Sequence, residues 1–156
     1  MTVHPLQVVG VRVELPANQP VVLLKESDGV RYLPIWIGAV EATAIAYEQQ
    51  GVKPPRPLTH DLMRDILTAL KAPLRGVEIV EMKENIFYAD LLLGEGVRVS
   101  ARPSDSIALA LRAGAPIRST EQVLAEAGMI IPDEQEDEVE KFREFLEQVT
   151  PEDFAG

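Results

Sequence analysis

Hydrophobic and polar residues change rhythm several times along this chain, and each change predicts an element. Residues 6–15, Leu-Gln-Val-Val-Gly-Val-Arg-Val-Glu-Leu, alternate imperfectly and are rich in Val, which predicts a strand. Residues 21–25 predict a second strand, Ser27-Asp28-Gly29 a tight turn, and residues 31–37 a third strand. Gly38 breaks that run, after which Val40, Ala44 and Tyr47 recur at helical spacing up to Gln50. Lys53-Pro54-Pro55-Arg56-Pro57 suits neither a helix nor a central strand, because proline lacks the N–H both require. Thr59 is expected to cap a second helix whose apolar stripe is Leu62, Met63, Ile66, Leu67 and Leu70.

The same order then returns. Residues 75–81 and 85–93 read as strands, Gly94-Glu95-Gly96 as a turn, and residues 97–101 as a third strand. Ser104 is expected to cap a helix through Leu111, apolar nearly all round and therefore buried, and Ser119 with Gln122 a capping box for another. A shift of 64 residues lays Val13-Glu14-Leu15 on Val77-Glu78-Ile79, Glu41 on Asp105, and Ala44-Ile45-Ala46 on Ala108-Leu109-Ala110. This predicts internally duplicated β-β-β-α-α units, with chance likeness of two Ala-rich helices as the alternative. Strands joined by short turns, with helices segregated from them, predict an α+β fold: two layers, with a largely antiparallel sheet.

Charge divides the chain. Of its net −10, residues 133–156 contribute −8, with ten acids against Lys141 and Arg143, so residues 1–132 are nearly neutral. We therefore expect a domain over 1–132 and an extra C-terminal acidic helix or tail over 133–156. Val139, Phe142, Leu146 and Val149 stripe that helix, which reads either as docked on the body or as a partner-binding appendage. Apolar runs fall short of the ~18 residues a membrane span needs. With no signal peptide visible, the expected location is cytoplasmic and no membrane partner is expected. Leu33, Ile35, Trp36, Ile37 and Leu91-Leu92-Leu93 place apolar side chains on both strand faces, which predicts a homodimer or larger homo-oligomer. Cysteine is absent, so thiolate metal sites and Cys nucleophiles are excluded, and His4 and His60 are the only imidazoles.

Phosphate-binding glycine loops, a Gly-x-Ser-x-Gly elbow and a His-Glu-x-x-His helix are all missing, and no organic cofactor is evident. Two polar clusters stand out, each where a loop or strand enters a helix. In Arg56-Pro57-Leu58-Thr59-His60-Asp61, helix-start N–H groups and Arg56 suit an anion such as phosphate. His60 there is a candidate general base, since imidazole titrates near neutrality. In Arg102-Pro103-Ser104-Asp105-Ser106, Asp105 is a candidate ligand for Mg or Mn and Arg102 a phosphate partner. The plainer alternatives are a capped helix start for the first cluster, and for the second an Arg102 clasp to Asp105 or Asp61. Glu41 adds a third carboxylate. Trp36 reads either as a stacking surface for a base or as a core or subunit contact.

Arg31-x-Leu-Pro-Ile-Trp-Ile-Gly38, Glu41-Ala42, Arg56-Pro57-x-Thr59-His60-Asp61, Phe87-Tyr88-Ala89 and the run from Ala101 to Ala110 together resemble the bifunctional nuclease domain family. The closing residues 148–156 resemble an actinobacterial-type member. The resemblance covers about residues 5–130 and implies hydrolysis of DNA and RNA, hence nucleic acid as a partner. No agreed mechanism comes with it. The matching positions are Glu41, Arg56, Thr59, His60, Asp61, Arg102, Ser104 and Asp105, while Ser100 and Ser106 stand where many relatives are expected to carry Asp and Ala. The leading expectation is a metal-assisted nuclease: His60, Asp61, Asp105 and Glu41 catalytic, Arg56, Arg102, Ser104 and Thr59 on phosphate, Asp105 and Asp61 on the metal. A non-catalytic anion- or ligand-binding regulatory module is the alternative.

Overall fold

The computed structural model describes residues 2–14 and 18–131. The expected acidic tail over 133–156 lies outside the described residues. Within them the strands are β1 (Val3–Glu14), β2 (Gln19–Glu26), β3 (Arg31–Trp36), β4 (Leu74–Lys83), β5 (Ile86–Leu93), β6 (Val97–Ala101), β7 (Ile117–Thr120) and β8 (Met129–Ile130). The helices are α1 (Ala39–Gln49), α2 (Thr59–Ala69), α3 (Pro103–Ala113) and α4 (Glu121–Ala127). All eight strands join one sheet in the order β6-β5-β4-β7-β1-β2-β3-β8. Every described pairing is antiparallel except that of β4 with β7. The α+β expectation holds.

Six of the strands lie close to their predicted positions, because short polar turns separate β-rich runs. β7 and β8 were not expected: four and two residues are too short to display an alternating pattern. β7 matters most, since it sits between β4 and β1 and stitches the two three-stranded meanders into one sheet. The β-β-β-α-α order recurs with β7 and β8 added in the second half, and equivalence of the halves stays a sequence-level expectation.

Cross-strand partners share a face, so register tells which side is covered. Leu6 lies opposite Ile117, Ile117 opposite Val77, and Val77 opposite Leu91, while Leu24 pairs with Leu33 and Val22 with Ile35. All are buried. The opposite face of β4–β6 instead carries Glu78, Asp90 and Arg98, which donates to both carboxylates and remains exposed. Helices therefore cover the first face. Central among them is α3, packed on β4 and β5 below and flanked by α1 and α2. That surround explains why Ile107, Ala108, Leu109 and Ala110 are all but inaccessible, as their apolar run predicts.

Two expectations about exposure change. Leu33, Ile35, Ile37 and Leu91 are buried within the chain itself, and Trp36 is the member of that group left open, at 58% exposure. The apolar stripe of α2 is only partly used: Met63 and Leu67 pack on the core, whereas Leu62, Ile66 and Leu70 face solvent, because one neighbouring helix, α3, covers one side of α2.

α4 ends at Gly128, whose backbone is extended rather than left-handed. An added Cβ would be driven into the Leu124 carbonyl one turn back. Gly128→Ala is expected to destabilise the domain by about 1–3 kcal/mol, as overpacking against fixed backbone does. Urea unfolding should show a lower midpoint at unchanged slope. An unshifted midpoint would mean that the turn accommodates the methyl group.

Candidate functional site

Three helices begin side by side, and each carries an acid at its third position: Glu41 in α1, Asp61 in α2 and Asp105 in α3. The helix caps differ from expectation by one or two residues. Leu58, not Thr59, is the residue preceding α2, and Arg102, not Ser104, precedes α3, with Pro103 in the first helical position. Proline is favoured there because its missing N–H is one the helix never uses and its φ is already helical. Likewise the cap of α4 is Thr120, whose hydroxyl accepts from Val123 N, rather than Ser119. In α2 the bond runs the other way, the Asp61 side chain reaching back so that its Oδ2 accepts from Leu58 N at 3.0 Å.

His60 and Asp105, 45 residues apart in sequence, meet at 3.0 Å between Nε2 and Oδ1. An ionised carboxylate can only accept, so this contact places the ring proton on Nε2. His60 is buried, and among the described residues no hydrogen bond is made to its Nδ1. Asp105 thereby fixes the orientation of the ring. Behind Asp105 stands Arg102, donating to Oδ2 from Nε at 2.9 Å and from Nη2 at 2.7 Å. The Asp105 carboxylate raises the Arg102 pKa above its ordinary value, with Glu41 adding to the effect. Arg102 Nη1 lies 3.4 Å from Glu41 Oε1, and Glu41 itself is folded beneath the start of α1 against Gly38. The clasp expected between helix starts is therefore present as Arg102 with Asp105 and Glu41, and does not include Asp61.

Asp61 belongs to a second assembly. Its Oδ1 accepts from Arg112 Nε at 2.8 Å, while Arg112 Nη1 and Nη2 donate to the carbonyls of Ala108 and Ala44, each at 2.8 Å. One buried guanidinium thereby ties α1, α2 and α3 together. Burial pulls the Asp61 pKa upward, but Leu58 N and then Arg112 outweigh it, leaving the carboxyl below its ordinary range. Arg112 was not among the expected site residues. Its signal was available: a lone cation at the end of the apolar run from Ile107 to Leu111 must be paired once that run is buried.

The remaining predicted residues are placed less centrally. Arg56 is exposed and makes no hydrogen bond or ion pair among the described residues. Thr59 is exposed beside the dyad, whereas Ser104 is buried in the first turn of α3. Ser106 is fully buried and donates to the Arg102 carbonyl at 2.8 Å, which gives this hydroxyl a local structural partner. Beside His60 opens a groove of about 780 Å³ between α1 and α2, lined by residues that include Val40, Tyr47, Pro57, Leu58 and Leu62. Among the described residues no three carboxylate or imidazole groups gather as a metal-ion donor set. Both oxygens of Asp105 and both of Asp61 accept hydrogen bonds from protein groups. No helix of the described residues is long and apolar enough to cross a membrane.

Acid should weaken this arrangement. Asp61 is held below its reference pKa of 3.8, and Glu26, hydrogen-bonded by Arg31, below 4.5. A depressed carboxylate stabilises the fold above its unfolded pKa, and that contribution disappears as pH falls through the folded pKa. Urea midpoints are expected to stay level from pH 7 to about 5 and to fall below about pH 4.5. A midpoint constant down to about pH 3 would rule out both carboxylates as sources of stability.

A helix-covered, largely antiparallel sheet with an oriented imidazole and paired arginine at its helix starts defines an α+β domain with a polar rim site. Comparison with known proteins narrows the class: residues 22–132 match the bifunctional nuclease domain, and the chain belongs to that family. An uncharacterized protein of Mycobacterium tuberculosis is 60% identical over 160 residues, covering 97% of this chain and 98% of that protein. Bifunctional nuclease 1 of Arabidopsis thaliana is 25% identical over 120 residues, 72% of this chain and 37% of the plant protein. Bifunctional nuclease 1 of Oryza sativa subsp. japonica is 24% identical over 115 residues, 69% of this chain and 35% of that protein.

Proposed function

We propose that the protein hydrolyses phosphodiesters of DNA and RNA, with His60 as general base. The observation carrying this reading is the His60–Asp105 contact, made at Nε2, with the exposed Arg102 paired to the same carboxylate. In the proposed step Nδ1 accepts a proton from water as its oxygen bonds to phosphorus. The P–O ester bond breaks, and the departing oxygen is protonated from solvent. Asp105 holds the ring and stabilises the imidazolium that forms, as carboxylates do for catalytic histidines. Arg102 holds Asp105 through Nε and Nη2, and its longest contact, Nη1 to Glu41 at 3.4 Å, is the one it exchanges for the phosphate charge. Family membership and the plant relatives named as bifunctional nucleases support the same class of reaction.

The test is hydrolysis of labelled DNA and RNA by pure protein, with Mg²⁺, with Mn²⁺ and with chelator. Activity unchanged in a His60→Ala, Asp105→Ala double variant overturns the assignment. Activity that requires the added ion would show that a donor set assembles only with substrate. The second reading, a ligand-binding regulatory module, is favoured by one observation: Arg102 is already paired with two acids. Saturable anion binding without turnover would select it. A cytoplasmic homo-oligomer is part of the proposal, with Trp36 as the exposed apolar residue that supports it. In sedimentation equilibrium a mass of 17.2 kDa that does not rise with concentration rejects the oligomer.

A further inference from the structure

The groove between α1 and α2 is more apolar than a phosphate site requires. Val40 is 76% exposed at its mouth, Leu58 and Leu62 are each about half exposed along one side, and Tyr47 and Pro57 complete the walls. His60 forms part of the lining, so an occupant of the groove lies against the residue that Asp105 orients. The volume, about 780 Å³, is that of a small-molecule site rather than a protein cleft. Charge is arranged separately from this apolar surface. From Gln50 to His60 the chain has no acid, and it carries Lys53 and Arg56, both exposed and without a partner among the described residues. The groove thus has an apolar, partly aromatic wall, and the chain leading to its Pro57–Leu58 side carries two cations that nothing in the described residues pairs.

We infer that this groove is a base subsite: it takes one unstacked nucleobase of a single strand while the flanking phosphates lie on Lys53 and Arg56. This deepens the nuclease reading and rests on it. A nucleotide has the matching division, a flat face that stacks on aromatic and apolar side chains and an anionic backbone that follows cations. Within a duplex the base faces are stacked on neighbours and unavailable, so the groove selects single-stranded DNA or RNA. Base seating also explains why the dyad stands at the groove wall: a base held there brings its adjacent phosphodiester toward His60.

Fluorescence anisotropy with a labelled 12-nucleotide thymidine strand, free and annealed to its complement, tests this on the full chain. Val40→Glu is the diagnostic variant, because Val40 is exposed and an acid in the first turn of a helix is tolerated or favourable. The expected result is single-strand binding stronger than duplex binding and weakened about tenfold by Val40→Glu, with unfolding unchanged. Equal binding of strand and duplex, or no effect of Val40→Glu, overturns the base subsite. Loss of a dimer in Val40→Glu with strand binding intact would make the groove a contact between copies and also overturn it. The two readings fail separately. Binding that obeys these expectations without hydrolysis sinks the nuclease reading alone, and hydrolysis indifferent to Val40→Glu sinks the subsite alone.

Discussion

Replacing His60 by alanine is expected to lower DNA and RNA hydrolysis by about 10²–10⁴-fold, the range that removal of a general base produces. The reasoning runs through one hydrogen bond. Asp105 Oδ1 fixes the proton on His60 Nε2, so Nδ1 carries the lone pair that the reaction uses. Asp105→Asn should be nearly as damaging although it is almost isosteric. An asparagine can turn its amide donor toward Nε2, which moves the ring proton to Nδ1 and removes the base. The pair of variants therefore separates chemistry from packing: both should retain the wild-type urea slope, and both should lose turnover. Equal turnover in Asp105→Asn and wild type would show that the tautomer is irrelevant and that His60 is no base.

How far such a site is legible in sequence depends on the range of the interactions that form it. Glu41, His60, Asp61 and Asp105 could be singled out because helix starts have local signals, and the three acids do fall at the third position of their helices. Their partners could not. Whether Asp61 pairs with Arg102 or Arg112 depends on how α2 crosses α3, and no periodicity in either helix encodes that crossing. The same limit explains β7, whose four residues acquire strand character from β4 and β1 on either side rather than from their own pattern. Cap positions slipped because the expectation favoured hydroxyls. In α2 Asp61 reaches back to Leu58 N, and in α3 Pro103 takes the first position, which puts Thr59 and Ser104 inside the first turn rather than before it. The burial of Leu33 and Ile35 was equally hidden, since consecutive apolar residues in a strand do not say which neighbour covers them. Here the helix layer of the same chain does.

Arg112→Ala is expected to destabilise the domain by about 3–5 kcal/mol, the cost of leaving one member of a buried ion pair without its partner. The Arg112 side chain is 2% exposed and its three donors each reach a separate acceptor: Asp61 on α2, the Ala44 carbonyl on α1 and the Ala108 carbonyl on α3. Alanine leaves Asp61 charged with only Leu58 N to hold it, and opens the space between three helices. Against a total stability of about 5–15 kcal/mol that is a large fraction, visible as a marked fall in urea midpoint. Arg112→Lys should recover little, because a single ammonium on a flexible stem cannot span acceptors that a planar fork meets together. Arg112→Met combined with Asp61→Asn should recover more, since it removes both charges while keeping volume beside α3. The site should report the same change. His60 is adjacent to Asp61, so a loosened start of α2 shifts the imidazole away from Asp105, and hydrolysis should fall with stability in Arg112→Ala. A urea midpoint for Arg112→Ala indistinguishable from wild type would remove Arg112 as the tie between the three helices. It would leave the packing of Met63 and Leu67 to hold α2 in place.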